Sequence, residues 1–280
     1  MKRQRILIRV LALGLLLAVM AGPAPLSADP QDFDGDDYVD LAIGVPYENV
    51  RPTTDAGSVS VVYGTSAGLS GAADEYWQQN YLDGSDAEAV EYFGRALAVG
   101  DFDGDGYFDL AVGVPWEDVG SVDQAGAVNV IYGNSVGGLD VAGNQYWNQN
   151  EHNVDGTAEE DDHFGYALAV GNFDGDSYDD LAIGIPDENI DDLVDGGMVY
   201  VLYGTSDGLS TSQDQIWHQG DAAEEGDKYG RTLAAGDFDG DGRDDLAVGV
   251  PYEDLGGDLN TGAVEILRTR PRSMISLGQP

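Results

Sequence analysis

The 280-residue sequence contains no cysteine. That excludes a disulfide framework and a cysteine-anchored lipid. Basic residues are scarce too: 12 Lys and Arg stand against 52 Asp and Glu, for a formal net charge of −40. A chain this acidic repels nucleic acid and anionic membrane, so neither is an expected partner. The three histidines are His152, His163 and His218, and the last two read as surface positions. GxSxG, HExxH and phosphate-loop patterns are missing, and on that ground no enzyme activity is expected. The longest apolar run, from Val10 to Met20, is too short to span a membrane. With the basic start Lys2, Arg3, Arg5 and Arg9, it predicts a secretory signal over residues 1–28. A secreted or cell-surface protein, or a periplasmic one, follows.

Helical periodicity is nearly absent, while glycine, at 40 residues, marks many turns. One stretch recurs four times: DFDGDDYVDLAIGVP from Asp32, DFDGDGYFDLAVGVP from Asp101, NFDGDSYDDLAIGIP from Asn172 and DFDGDGRDDLAVGVP from Asp237. Such self-similarity fixes the architecture as repeated supersecondary units. A Phe-Gly or Tyr-Gly pair, at Phe93, Phe164 and Tyr229, precedes three of the copies by eight residues. Twelve residues run from each closing proline (Pro46, Pro115, Pro186, Pro251) to a glycine (Gly57, Gly126, Gly197, Gly262). Alternating segments such as SVSVVYG and AVNVIYG follow, and three units add an aromatic stretch around Trp77, Trp147 or Trp217. Up to four short strands per unit, repeated in series, predict an all-β fold, a β-propeller of about fourteen strands.

The acid loops carry the chemistry. Oxygen side chains fall at positions 1, 3, 5 and 9: Asp32, Asp34, Asp36 and Asp40; Asp101, Asp103, Asp105 and Asp109; Asn172, Asp174, Asp176 and Asp180; Asp237, Asp239, Asp241 and Asp245. Calcium takes six to eight oxygens, and the position-7 carbonyl of Tyr38, Tyr107, Tyr178 or Arg243 can complete a shell. With only its carbonyl used, that side chain is free to vary. An EF-hand needs a bidentate Glu at position 12, where this chain has Ile43, Val112, Ile183 or Val248. Up to four calcium ions stapling hairpins is the expected arrangement; magnesium suits so many protein oxygens less well.

The Phe-Gly pair, the DxDGDxxxD loop and the LAVGVP or LAIGIP ending together resemble the FG-GAP repeats of integrin α-subunit propellers and of many secreted bacterial proteins. The resemblance covers residues 29–268, with units at about 29–82, 92–150, 163–219 and 228–268 and a tail at 269–280. It implies calcium on one face and a protein or glycan ligand on the other, where Tyr47, Trp116, Asp187 and Tyr252 follow the prolines. It also implies an alternative, because such propellers occur in hydrolases and polysaccharide lyases. Integrin propellers have seven blades and this chain has four loops, so its strand edges favour self-association. A closed ring, an open arc and a truncated product all remain open. In one expectation the tail, Ser273 to Gly278, folds back as an edge strand near the first unit.

Overall fold

The computed structural model describes residues 31–268, apart from 83–86, 136, 151–156, 192 and 256–258. The expected signal segment and the tail, with its expected fold-back, lie outside the described residues. Fourteen strands form four antiparallel sheets. The first holds β1 (Leu41–Val45), β2 (Ser58–Tyr63) and β3 (Ser70–Trp77). The second holds β4 (Ala96–Gly100), β5 (Asp109–Val114), β6 (Ala127–Tyr132) and β7 (Asp140–Trp147). The third repeats it with β8 (Ala167–Gly171), β9 (Asp180–Ile185), β10 (Met198–Tyr203) and β11 (Ser210–Trp217). The fourth holds β12 (Thr232–Gly236), β13 (Asp245–Val250) and β14 (Ala263–Leu267). The order is the propeller meander, each strand pairing with the next, as the repeats predict.

Registers repeat from sheet to sheet. Gly100 pairs with Asp109 across the β4–β5 hairpin, as Gly171 pairs with Asp180 and Gly236 with Asp245. The acid loop is therefore the tip of the hairpin between the first two strands of a unit. In the middle units both faces of β5, β6, β9 and β10 are buried, so these strands read as continuous apolar runs. β1 instead leaves Leu41, Ile43 and Val45 exposed, and β14 leaves Val264 exposed. These two strands mark the ends of the series.

Three hydrophobic cores lie between consecutive units. One joins Val59, Val61 and Trp77 of the first unit to Phe93, Leu110, Val112 and Ile131 of the second. The next joins Phe102, Val128 and Trp147 to Phe164, Leu181, Ile183 and Tyr200. The last sets Val199, Val201 and Tyr203 against Tyr229, Leu246 and Val248. Each fully buried side chain of this size contributes about 1.5–3 kcal/mol. The Phe-Gly pair belongs to this packing. Phe164 donates its N–H to Ala125 O at 2.8 Å and bridges in parallel to Gly126, whose absent Cβ would meet Phe164 N and O at 2.4 Å. Only glycine fits there.

Candidate metal centres

Each acid loop is wound by its own side chains. Asp32 accepts the N–H groups of Gly35, Asp36 and Asp37 at 2.7–3.1 Å, and Asp237 accepts those of Gly240, Asp241 and Gly242 at 2.7–3.0 Å. Position 3 accepts from position 5, as in Asp105 N to Asp103 Oδ1 at 3.1 Å. Position 5 accepts from position 7, as in Tyr107 N to Asp105 Oδ1 at 2.9 Å. These Asx turns close the loop around a centre. Gly104 takes φ +71° there, a left-handed value that costs glycine nothing.

Position 9 plays another part. Asp109 is fully buried and accepts from Phe102 N at 2.8 Å and from Gly133 N at 2.9 Å, the second at the end of β6. Asp40 and Asp180 repeat both bonds with Phe33 and Gly64, and with Phe173 and Gly204. This carboxylate ties the loop to the third strand of its sheet. Burial pushes Asp109 and Asp180 up to about 8, with neighbouring loop carboxylates adding to the shift. A cation at the loop centre would reverse that.

Oxygens of three acids converge within 4.8 Å in three loops: Asp32, Asp34 and Asp36; Asp101, Asp103 and Asp109; Asp237, Asp239 and Asp245. Asp101 Oδ1 is buried without a hydrogen-bond partner. Such a hard, anionic oxygen set fits calcium. In the third loop Asn172 replaces the first acid and donates Nδ2 to Asp176 O at 2.7 Å; Asp174, Asp176 and Asp180 form no such cluster among the described residues.

Three of the position-7 side chains make contacts beyond their own loop. Tyr107 covers Gly35 of the preceding loop, Tyr178 covers Gly104 and Arg243 covers Gly175, where a Cβ would meet them at 2.4–2.6 Å. Position 8 reinforces the link: Asp179 Oδ2 accepts from Asp101 N and Asp244 Oδ2 from Asn172 N, both at 2.9 Å. The loops are joined hand to hand across the units.

Away from the acid loops, rings line up from unit to unit. Tyr47 meets Tyr92 at 5.1 Å between centroids, Tyr92 meets Trp116 at 4.9 Å, and Trp116 meets His163 at 4.9 Å and Tyr166 at 6.0 Å. Arg95 and Arg231 both lie over the Tyr166 ring. His163 is half-buried rather than a surface residue, with Nδ1 2.7 Å from Asp187.

A third arrangement was missed by the sequence reading. Glu117, two residues after its proline, is buried at the junction of the first two units. It accepts from Gln79 Nε2 of the first unit at 2.5 Å and from Tyr146 Oη at 3.0 Å, and it contacts Glu91. Glu188 likewise accepts from Gln149 Nε2 at 2.7 Å and contacts Asp162. Burial first, then the facing carboxyl, pushes Glu91 and Asp162 above the usual carboxylate range. The signal was present: a Glu two residues after each of the four closing prolines, a Gln two residues after Trp77, Trp147 and Trp217, and an acid two residues before Phe93, Phe164 and Tyr229.

The FG-GAP repeat family matches residues 27–62, 93–131, 164–202 and 229–267. This chain is an FG-GAP repeat protein. Among its curated relatives, phosphatidylinositol-glycan-specific phospholipase D of Rattus norvegicus is 34% identical over 186 residues, 64% of this chain and 21% of that protein. Integrin alpha-PS2 of Drosophila melanogaster is 33% identical over 189 residues, 64% of this chain and 12% of that protein. The chain spans about a fifth or less of the length of these relatives. Among solved structures, Bacillus licheniformis rhamnogalacturonan lyase PL11 aligns at TM-score 0.43 and 17% identity, over 77% of this FG-GAP chain and 38% of the lyase. That likeness carries no functional weight. The phospholipase relatives overturn the expectation of a non-enzyme. Missing GxSxG and HExxH patterns exclude only the centres those patterns build, and an FG-GAP stretch can accompany chemistry housed elsewhere. No helix among the described residues is long and apolar enough to cross a membrane.

Proposed function

We propose that this FG-GAP chain is a secreted, calcium-stapled propeller that works within an extracellular hydrolase acting on a glycan-bearing substrate. The convergence of Asp101, Asp103 and Asp109 within 4.8 Å, repeated in two other loops, carries the calcium part. Calcium held at the hairpin tips fixes the loops through carboxylates already wound around their own backbone. The similarity to phosphatidylinositol-glycan-specific phospholipase D supports the hydrolase part. The row from Tyr47 through Trp116 to Tyr166, with Arg95 and Arg231 beside it, supplies flat rings and cationic groups to hold substrate.

The same row favours a second reading, an adhesion surface for an extracellular protein, which the integrin α relatives support. One pair of assays separates the two. The purified protein is incubated with glycosylphosphatidylinositol-linked and polysaccharide substrates in calcium, and its binding to immobilised glycans and matrix proteins is measured in parallel. Turnover that is lost on chelation supports the hydrolase reading. Tight binding to matrix proteins, with neither turnover nor glycan binding, supports adhesion and removes the first reading.

A further inference from the structure

We propose that the blade junctions are proton-binding sites: Glu91 with Glu117, and Asp162 with Glu188, each hold a single proton between two buried side chains. All four residues are at most 8% exposed. Within each pair the carboxyls are in hydrogen-bonding contact, although neither can donate when ionised. Glu91 Oε1 and Asp162 Oδ1 are buried with no donor facing them. The second oxygen of each is already taken, by Glu88 N at 2.6 Å and by Glu159 N at 2.6 Å.

Among the described residues, the groups facing these carboxyls are neutral or acidic, and Lys228 binds Asp187 and Asp195 instead. Glu117 faces the neutral donors Gln79 and Tyr146, and Glu188 faces Gln149. The other ionisable groups nearby, Glu88 and Glu159, carry the same sign. Among the described residues no Lys or Arg pairs with any of the four. Two adjacent buried negative charges in such a place are strongly unfavourable. One proton converts the contact into a carboxylic acid–carboxylate hydrogen bond, a short and strong type. The remaining single charge is then spread over neutral donors. Asp227 and Glu253 take the corresponding places in the fourth unit, with Gln219 donating to Glu253.

Because Gln79 and Gln149 reach across from the preceding unit, the proton sits in the seam and couples blade cohesion to pH. The sign follows from the direction of the shifts. Carboxyls raised in the folded state, by burial and then by the facing carboxyl, contribute stability that is whole at acidic pH and lost as pH rises through their raised folded values. In saturating calcium the unfolding midpoint should fall as pH rises above neutrality, by about 5 °C per pH unit while both protons are held, given the usual midpoint sensitivity. In the E91Q/D162N double variant an amide N–H replaces the shared proton permanently, and most of that fall should vanish. An equal fall in the variant overturns the proposal.

A metal ion is the rival occupant, because Gln79 Oε1 and Gln149 Oε1 are also buried without partners. It would make the midpoint rise with pH and make E91Q bind less calcium at pH 8, and either result overturns the proton. Should the variant not fold, carboxyl-carbon NMR of the unaltered protein decides. Coupled titration of these resonances above pH 6 supports the site, and titration of every carboxyl below pH 5 overturns it.

Discussion

In the second acid loop, Asp101, Asp103 and Asp109 bring oxygens within 4.8 Å of one another at a hairpin tip where Asp105 is exposed. At the junction beside it, Glu91 and Glu117 are in contact but buried, with Gln79 and Tyr146 as neutral donors and Glu88 adding a like charge. The loop has many oxygens and access to solvent, so an ion of ordinary coordination number can enter and be held. The junction has two carboxyls, both buried, so a proton is the less costly counter-charge. Crowding of acids alone does not identify the occupant; oxygen number and burial do. Withdrawing calcium is the strongest way to break the comparison. A ligand at a hundredfold excess over its dissociation constant contributes about 2.7 kcal/mol per site. Three filled loops should therefore lower the calorimetric midpoint well beyond any single substitution when a chelator is added. An unchanged midpoint would leave the loops as solvated turns.

Within one loop the comparison sharpens at position 9. Asp109 joins the acid cluster and also accepts two buried backbone N–H groups. D109A should cost about 2–5 kcal/mol even in chelator, since each buried N–H left without an acceptor costs ~1–3 kcal/mol. Asp105, exposed and bonded locally, should matter only when calcium is present. Denaturant unfolding of D109A and D105A with and without calcium separates the two parts. Smaller still is the link between loops. Gly104→Ala meets a left-handed φ and the Tyr178 ring at 2.6 Å, whereas Gly240→Ala in the fourth unit meets the same backbone strain with nothing within 4 Å. Both should lose ~1–2 kcal/mol from the backbone term, and Gly104→Ala about 1 kcal/mol more for moving the ring. Equal losses would mean that Tyr178 is not packed as a cover.

The hairpins, the fourteen strands and the acid loops were legible in the sequence because each is local and repeated. Alternate carboxylates, a turn glycine and a flanking apolar run lie within fifteen residues, and four copies remove chance. What was not legible depends on residues distant in the chain. Tyr107 looked unconstrained at position 7 because its glycine lies in another unit, at Gly35. Glu117 looked like one more surface acid in PWED, and Gln79 like one more polar residue in YWQQN; their bond spans 38 positions. His163 looked exposed because its partner Asp187 is contributed by the next connection. The expectation of a non-enzyme failed for a different reason, since a missing motif speaks only about the site that motif would build.

The finest test lies at the first unit, where Glu48 takes the post-proline place that Glu117 takes in the second. Among the described residues no counterpart of Gln79 reaches Glu48, and Glu48 is exposed while Glu117 is 5% exposed. The residue type and local sequence are the same, so the difference isolates the junction. E117A leaves the Gln79 amide and the Tyr146 hydroxyl without their acceptor in a buried seam, at a cost of about 2–4 kcal/mol. E48A removes only a solvated carboxylate and should move stability by less than ~0.5 kcal/mol, as exposed substitutions do. Comparable losses in matched urea titrations would mean that the post-proline glutamate acts through its own connection. The junction would then lose its claim to be a separate source of cohesion, since Glu48 has the connection and, among the described residues, lacks the neighbour.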